Sequence, residues 1–506
     1  MGVAALSGQA VMLVCGLLSL YIFKIITGFA KLRQFRGPSW TGISNWPHSI
    51  AILGGNCHEW HLYQGPIARV APRVLITSSP EVWMHVNHKP GYKRSDWYYR
   101  ATRVEYRRDN IFSQTDNAKH EKRRKQMAPG YSGRENTQLE GSVDERVQDF
   151  LNLIRSKYLS SDRHVVPMDL AKKVQFLSLD VISSIGLGKA FGMLQNDRDV
   201  DNYLQSSEEG LAIGNTALGM GFTWITQMPF IGRFIAPSAK DNNGFGKMMA
   251  VCFRIVDERA ANSADEKSDM LASFMRHGLA GDELRTEALE QILAGSETTS
   301  SAIRGTLLHI MTNPRVYFKV QREVDDAVHR GLALRTGEGL VSAAQAKDLP
   351  YLQAVIREAL RLWPPVTNIF SRDVPAGGDT VVVDGESVFL PGGACIGYSA
   401  YAMHQSEKIY GKDAHVFRPE RWLESDATRL AAMVRTNDLT FGHGKFQCLG
   451  KVVAQMEIGK TVFELLRNFD MALINPRHPW DATNYLGLFA ISNMWVQVTE
   501  RTSRSP

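Results

Sequence analysis

Cysteine is scarce in this sequence of 506 residues, which contains only five, at positions 15, 57, 252, 395 and 448. Their number is odd, their spacings are wide, and no two of them form a CxxC pair. The sequence therefore predicts neither a disulfide framework nor a CxxC metal site. This pattern suits a reducing compartment, in which a free thiol remains available for chemistry.

Common signatures of nucleotide and zinc binding are also missing. No GxGxxG fingerprint links a strand to a helix, and GHGK at residues 442–445 lacks the Ser or Thr that completes a phosphate-binding loop. HEWH at residues 58–61 has the wrong spacing for an HExxH zinc helix. The formal net charge of +6 is too small and too dispersed to indicate a nucleic-acid partner.

The first 32 residues indicate a membrane anchor. Residues 10–30 are mostly apolar and, at 21 residues, are long enough to cross the hydrocarbon core of a bilayer. No basic segment precedes them as it would in a signal peptide, whereas Lys31, Arg33 and Arg36 follow. This arrangement predicts a single-pass helix within residues 1–32 that leaves the rest of the chain in the cytosol.

Residues 33–506 are predicted to form one large domain, because 44% of the whole sequence is hydrophobic and no linker, repeat or low-complexity segment divides it. Residues 66–80 predict a β-hairpin, followed by a helix from about Pro80. The pattern of residues 116–363 is mainly helical, and residues 378–404 turn to short strands and glycine turns. This order indicates a mainly helical α+β fold with a small sheet toward its N-terminal side.

One cysteine has a distinctive setting. Cys448 lies in FGHGKFQCLG, residues 441–450, a turn-rich loop that enters the apolar run VVAQMEIGKTVFELL. A helix N-terminus favours the thiolate, which is the form that binds a soft metal. Gly442 and Gly444 permit tight bends and the close approach of a flat ligand, and Phe441 can pack near the sulfur. Taken alone, such a cysteine is more often a buried structural residue.

Two more segments have unusual patterns. Glu358 and Arg361 are three residues apart on one face of a helix that the prolines after it terminate. An isolated pair of this kind usually lies on the surface. LAGSETTS, residues 293–300, places small polar residues in the middle of an apolar stretch from about residue 286 to 313, which predicts a helix that crosses the core.

Together these three segments resemble the cytochrome P-450 family. The cysteine loop is similar to the haem-ligating pattern Phe, two residues, Gly, three residues, Cys, one residue, Gly, which Phe441, Gly444, Cys448 and Gly450 match. The resemblance implies that these residues bind haem b and that Cys448 is the axial ligand of its iron. It also implies the fold of the family, a helix-rich domain with a small β-rich subdomain, preceded here by one transmembrane helix.

The other two segments resemble further motifs of the family. LAGSETTS is similar to the oxygen-activation motif, in which Glu297 and Thr298 are the acid and the threonine that deliver protons during catalysis. Glu358 and Arg361 match the ExxR pair, and Arg421 in FRPERW matches the second arginine. The resemblance implies that these three form a buried charged network beneath the haem loop, and buried charges need partners.

The haem propionates are anionic and need cationic partners. His120 and Arg124, four residues apart on one helical face, are similar to the pair that the family uses, and Arg372 resembles a further partner. The family usually has Arg or His two residues before the cysteine, where this sequence has Phe446. That contact is therefore absent, or is supplied by nearby basic residues such as Lys445.

The resemblance implies a haem-thiolate monooxygenase in the endoplasmic reticulum membrane. Electrons would come from NADPH through a separate reductase, with cytochrome b5 as a second candidate donor, since a basic face suits an acidic electron donor. APGYS at residues 128–132 and SNMWVQV near the C-terminus are similar to fungal members of the pisatin demethylase-like group, which act on specialised metabolites. The reaction would be a hydroxylation, a demethylation or an epoxidation.

Several apolar segments are candidates for the substrate pocket. Residues 214–238 are apolar, aromatic and rich in methionine, which fits a pocket roof, a membrane contact or ordinary core packing. Other candidates are the stretch after Trp97, residues 366–370 and residues 486–491. These segments indicate a lipophilic substrate, such as a terpenoid, a polyketide or an aromatic alkaloid.

Two other functions remain open at this point. A family member that isomerises or dehydrates a peroxide or an oxime needs no electron donor, but it commonly lacks the acid and threonine found here as Glu297 and Thr298. A non-catalytic haem-binding protein would need neither that pair nor a large apolar pocket.

Overall fold

The computed structural model describes residues 25–62, 65–106, 108–262, 267–332, 339–367 and 369–501, together with single positions between 12 and 23. Much of the predicted membrane anchor lies outside the described residues, although residues 25–32 are helical. In the part of the chain that the structure describes, none of the helices is long and apolar enough to cross a membrane.

Helices make up most of the described chain, as the sequence predicts. From residue 46 onward they are α1 (Trp46–Leu53), α2 (Cys57–Leu62), α3 (Pro80–His88), α4 (Trp97–Thr102), α5 (Asn117–Met127), α6 (Leu139–Lys157), α7 (Leu170–Leu187), α8 (Met193–Asn196), α9 (Tyr203–Gly219), α10 (Gly232–Ile235), α11 (Gly244–Ala261), α12 (Met270–Arg276), α13 (Gly281–Met311), α14 (Pro314–His329), α15 (Ala343–Lys347), α16 (Pro350–Leu362), α17 (Ala400–His404), α18 (Glu407–Tyr410), α19 (Arg421–Glu424), α20 (Ala427–Asp438) and α21 (Lys451–Asn468).

The strands are short and form small sheets. They are β1 (Ile67–Ala71), β2 (Val74–Thr77), β3 (Lys93–Arg94), β4 (Met168–Asp169), β5 (Arg372–Asp373), β6 (Asp379–Val383), β7 (Glu386–Leu390), β8 (Cys395–Tyr398), β9 (Phe469–Leu473), β10 (Asp481–Tyr485), β11 (Leu488–Ser492) and β12 (Trp495–Glu500).

The largest sheet has the order β1-β2-β8-β5-β3 and joins the N-terminal part of the chain to the segment around residues 372–398. The predicted hairpin is confirmed, because β1 and β2 pair antiparallel, and β2 then pairs parallel with β8. The predicted helix after it also begins at Pro80, where the side chain of Ser79 accepts a hydrogen bond from the backbone N–H of Val82 at 3.3 Å. Smaller sheets are β4-β12-β9, β10-β11 and β6-β7.

Helix α13 is the central element of the core. Its 31 residues span about 45 Å, and it packs against α7, α11, α16 and α21. The sequence predicts its start near residue 286, but it begins at Gly281, five residues earlier. The difference arises because Asp282 and Glu283 occupy the first turn, where acidic side chains favour the helix dipole but interrupt an apolar pattern.

The predicted charged network is present and fully buried. Both carboxylate oxygens of Glu358 accept hydrogen bonds from Arg361 at 2.8 Å, and Arg421 adds a bond at 2.9 Å. The indole N–H of Trp422 donates to the same carboxylate at 3.0 Å, and the backbone N–H of Arg418 donates at 2.9 Å. Burial alone would raise the pKa of Glu358, but the two arginines outweigh it and hold the pKa below its usual value.

We predict that Glu358→Ala lowers the free energy of unfolding by about 3–5 kcal/mol, because it leaves two guanidinium groups buried without their carboxylate. Urea unfolding followed by circular dichroism measures the change. The control is Lys408→Ala, which removes an exposed partner of Asp384 and should have little effect. Equal stability of the two variants would contradict the prediction.

Candidate active site

The loop before α21 folds back on itself to place Cys448 at its end. The backbone N–H of Cys448 donates to the carbonyl of Phe441 at 2.8 Å and closes the loop. Gly442 and Gly444 have φ angles of 75° and 60°, a region that side chains disfavour. A Cβ at position 444 would also lie 3.2 Å from the carbonyl oxygen of Asn87. The predicted role of both glycines in the bends is therefore confirmed.

The sulfur of Cys448 faces an internal cavity, and this is the source of its exposure, since protein surrounds it elsewhere. Burial raises the pKa of the thiol, whereas the backbone N–H groups of Gly450 and Lys451 and the charge of Arg124 act in the opposite direction. A Cβ on Gly450 would lie 3.8 Å from the sulfur, so a larger side chain would crowd it. The site thus offers one soft ligand, with backbone donors on its protein side.

The cavity has a volume of about 360 Å³ and lies between the cysteine loop and α13. Although α13 is buried along most of its length, the side chain of Ala294 near its middle is exposed, because it faces this cavity. The wall is largely apolar and aromatic. Its members include Trp97, Phe112, Leu211, Phe245, Phe370 and Leu486.

Basic side chains gather at one border of the cavity. The structure brings together the three predicted residues, His120, Arg124 and Arg372, and adds Arg94 and Lys445. Arg94 and Arg372 are only 5% and 3% exposed, yet none of the carboxylates that the structure describes lies within ion-pair distance of either. Burial, followed by these neighbouring charges, lowers the pKa of His120 to about 3, so its ring is neutral. Such an unbalanced cluster fits an anionic ligand.

Arg94 is the functional residue that sequence reasoning misses. It lies directly opposite Arg372 across the β3–β5 pair, where like charges repel. It is also buried, which lowers its pKa to about 10 and still leaves it charged at neutral pH. No local motif marks Arg94. Its position becomes evident only when β3 pairs with β5, which brings Arg94 next to Arg372, 278 residues later in the chain.

Phe446 lies among these cations. The centre of its ring is 4.3 Å from the guanidinium carbon of Arg372 and 4.8 Å from that of Arg94. The ring of His120 is 5.1 Å away, as is the ammonium of Lys445. A phenylalanine cannot pair with an anion, but its ring stabilises the two buried arginines that can.

Glu297 and Thr298 are adjacent in α13 but have different surroundings. The hydroxyl of Thr298 borders the cavity and donates to the carbonyl of Ala294 at 2.8 Å. Glu297 is buried, accepts a hydrogen bond from Gln175 at 2.6 Å and forms an ion pair with Arg304 at 3.2 Å. Burial raises the pKa of Glu297, and Arg304 only partly opposes this.

The sequence model of the family described as cytochrome P-450 matches residues 51–494. The chain belongs to this family. It is 36% identical over 490 residues to the cytochrome P-450 monooxygenase ABA1 of Pyricularia oryzae, with 94% of each chain covered. It is 37% identical over 449 residues to the monooxygenase aba1 of Botryotinia fuckeliana, with 87% of this chain and 86% of the relative covered.

A more distant similarity is to the monooxygenase mpaDE of Penicillium roqueforti, 29% identical over 475 residues that cover 89% of this chain and 53% of the relative. The protein is thus an oxidoreductase that incorporates oxygen, and membership of the cytochrome P-450 family implies haem iron and a redox partner that supplies electrons. The residues present fit that cofactor, since Cys448 offers a thiolate on one face of the cavity, Ala294 leaves space on the other and Arg94 and Arg372 border it.

We predict that Phe446→Leu weakens haem retention, because it keeps an apolar side chain but removes the ring from Arg94 and Arg372. Each lost cation–π contact contributes about 1–2 kcal/mol. The measurement is the rate of haem transfer to apomyoglobin. Phe446→Tyr, which keeps the ring, is the matched control and should behave as the unchanged protein. If the leucine variant released haem no faster than the tyrosine variant, the proposed contribution of the ring would be wrong.

A pH prediction comes from Glu457, which borders the cavity and accepts a hydrogen bond from Ser178 at 2.6 Å. Burial raises its pKa from 4.5 to about 7, so the unfolded chain loses this proton first as pH rises. Stability should therefore fall between about pH 4.5 and 7 and stay lower above that range. Glu457→Gln should remove this fall and raise stability at pH 8 by on the order of 3 kcal/mol. The measurement is the free energy of unfolding in urea at several pH values between 5 and 8. The same pH dependence in the unchanged protein and in Glu457→Gln would contradict the prediction.

Proposed function

We propose that the protein is a haem-thiolate monooxygenase that inserts one oxygen atom from dioxygen into a lipophilic metabolite. Hydroxylation, demethylation and epoxidation all fit this reaction. The observation that carries the proposal is that Cys448, Thr298 and a largely apolar wall face one cavity. Electrons come from NADPH through a separate reductase, with cytochrome b5 as an additional donor.

Cys448, Arg94, Arg124 and Arg372 are the residues that would hold the cofactor, haem b. When bound through a thiolate, haem supplies oxygen activation, because the anionic sulfur donates electron density to the iron. The buried Arg94 and Arg372 would neutralise the haem propionates. Arg124 additionally donates to the carbonyl of Gln447 at 2.6 Å, so it fixes the backbone next to the ligand cysteine.

Thr298 and Glu297 are proposed to manage protons. Since Thr298 already donates to the carbonyl of Ala294, its hydroxyl oxygen is oriented with a lone pair free toward the cavity. Burial raises the pKa of Glu297 above that of an exposed glutamate, which suits a residue that must both take up and release a proton. Its pairing with Arg304 fixes the carboxylate next to the threonine in the chain.

The apolar wall supports a lipophilic substrate. Trp97, Val366 and Leu486, from three of the segments that the sequence singled out, border the cavity. Residues 214–238, a candidate for the pocket roof, do not border the cavity, whereas Ser207 and Leu211 in the preceding part of α9 do. Rigid aromatic and aliphatic side chains exclude water and orient an apolar ligand with few polar contacts. The similarity of APGYS at residues 128–132 to the pisatin demethylase-like group supports a place in specialised metabolism.

We also propose that the protein sits on the endoplasmic reticulum membrane, with an anchor in residues 1–32 and the catalytic domain in the cytosol. Large apolar side chains in residues 214–238 support a membrane contact. Phe230 and Phe234 are 80% and 74% exposed, and Trp224 is half exposed. Aromatic side chains concentrated on one surface are typical of a membrane-contact face.

The first test uses the purified protein with a cytochrome P-450 reductase, NADPH, labelled dioxygen and an extract of fungal metabolites. We expect substrate-dependent NADPH consumption, one labelled oxygen atom in the product, and the carbon monoxide difference spectrum of thiolate-ligated haem. Cys448→Ser should abolish that spectrum. Product formed without NADPH would favour an isomerase or a dehydratase, and a thiolate spectrum without turnover would favour a haem-binding protein.

We predict that Thr298→Ala lowers the ratio of product formed to NADPH consumed by a factor on the order of 10², with hydrogen peroxide as the alternative product, because proton delivery is lost. Thr306→Ala is the matched control. Its hydroxyl makes the same kind of bond, to the carbonyl of Ala302 at 2.8 Å, in the same helix but away from the cavity. Unchanged coupling in the Thr298 variant would refute the role given to this hydroxyl.

A further inference from the structure

A second group of metal-ligating side chains lies at the corner between α1 and α2, outside the haem cavity. His48 of α1 and Cys57 and His61 of α2 are 8%, 3% and 1% exposed. The sulfur of Cys57 is 3.4 Å from Nε2 of His48 and 3.6 Å from Nε2 of His61. All three ligand atoms lie within 4.8 Å of one another.

These spacings match tetrahedral zinc coordination. Zinc bonds of about 2.3 Å to sulfur and about 2.0–2.1 Å to imidazole nitrogen, at a tetrahedral angle, put sulfur and nitrogen about 3.5 Å apart. The two measured separations lie on either side of this value. One thiolate and two imidazoles are also a donor set that zinc prefers, and they leave a fourth position for water.

The orientation of the two histidine rings supports a shared ligand. The rings of His48 and His61 are stacked with their centres 5.5 Å apart, and both direct Nε2 toward the same sulfur. Burying three convergent polar side chains destabilises the folded protein unless they bind a partner such as a metal ion.

We propose that His48, Cys57 and His61 bind one Zn²⁺ ion, which clamps α1 to α2. HEWH at residues 58–61 does not have the spacing of an HExxH zinc helix, and only His61 of its two histidines is a proposed ligand. The proposed ligands combine one end of that segment with the cysteine before it and a histidine from the preceding helix. The spacing Cys57 to His61 places both on one helical face.

The clamp would support the substrate side of the cavity. The carbonyl of Ile52 in α1 accepts a hydrogen bond from the side chain of Asn215 in α9 at 3.1 Å. The same side chain accepts one from the backbone N–H of Leu486 at 3.0 Å, and Leu486 borders the cavity. A metal that fixes α1 therefore also holds Ile52 in place. Two hydrogen bonds through Asn215 connect Ile52 to Leu486 in the cavity wall, and neither involves the cysteine loop.

The test uses the full-length, haem-loaded protein, incubated with zinc sulfate and then desalted. We expect about one zinc per haem iron by mass spectrometry of the metals. X-ray absorption at the zinc edge, to which iron does not contribute, should show one sulfur at about 2.3 Å and two nitrogens at about 2.0–2.1 Å. Substoichiometric zinc, copper in its place, or a shell without sulfur would overturn the proposal.

Variants locate the ion. Cys57→Ser and His61→Gln should each lose most of the zinc, whereas Cys395→Ser, which removes a cysteine that is not part of this group, should keep it. The carbon monoxide spectrum reports on Cys448 and should be the same in all three, which separates this proposal from the proposed function. Equal zinc in all variants would refute the assignment. If Cys57→Ser does not fold, the X-ray absorption spectrum of the unchanged protein at the zinc edge still tests whether sulfur binds the ion.

Discussion

The shared carboxylate of Glu358 is the constraint on which the haem side of the molecule depends. By binding two arginines it fixes α16 against the segment that ends in α19. From α16, the carbonyl of Arg357 accepts a hydrogen bond from Asn437 at 3.2 Å, which positions the end of α20 just before the cysteine loop. Asp438 then bonds Arg357 and Lys451, both at 3.3 Å. The loop that presents the sulfur is thus held at both ends by charged contacts.

A second constraint is the concentration of positive charge beside the cavity. Arg94 and Arg372 face each other across two very short strands, and neither forms an ion pair with a carboxylate in the described chain. Two buried like charges destabilise the protein alone, and an anionic ligand reverses this effect. Phe446 holds both guanidinium groups in position for that ligand, because its ring lies against each of them. This explains why a residue that cannot bind a propionate is tolerated at that position.

The features predicted from sequence are those encoded by residues close together in the chain. The bends at Gly442 and Gly444, the Glu358–Arg361 spacing and the β1–β2 hairpin are of this kind, and each is confirmed. Arg94 required a strand pairing, and the ion pair of Glu297 with Arg304 required the side-chain geometry of α13. The zinc corner was missed for the same reason, since His48 comes from a different helix than its partners.

The two sides of the cavity are held by interactions of different strength, and this bears on what each side determines. The buried network of Glu358, the partly exposed ion pairs of Asp438 and backbone hydrogen bonds position the cysteine loop, so few substitutions are compatible with it. The opposite wall depends on apolar contacts and on single hydrogen bonds, such as those of Asn215 to Ile52 and Leu486. Apolar walls accept changes of shape at a cost usually below about 1.5 kcal/mol when volume is conserved. We therefore infer that the cysteine loop determines the class of reaction. The opposite apolar wall, which tolerates substitution better, determines which substrate binds.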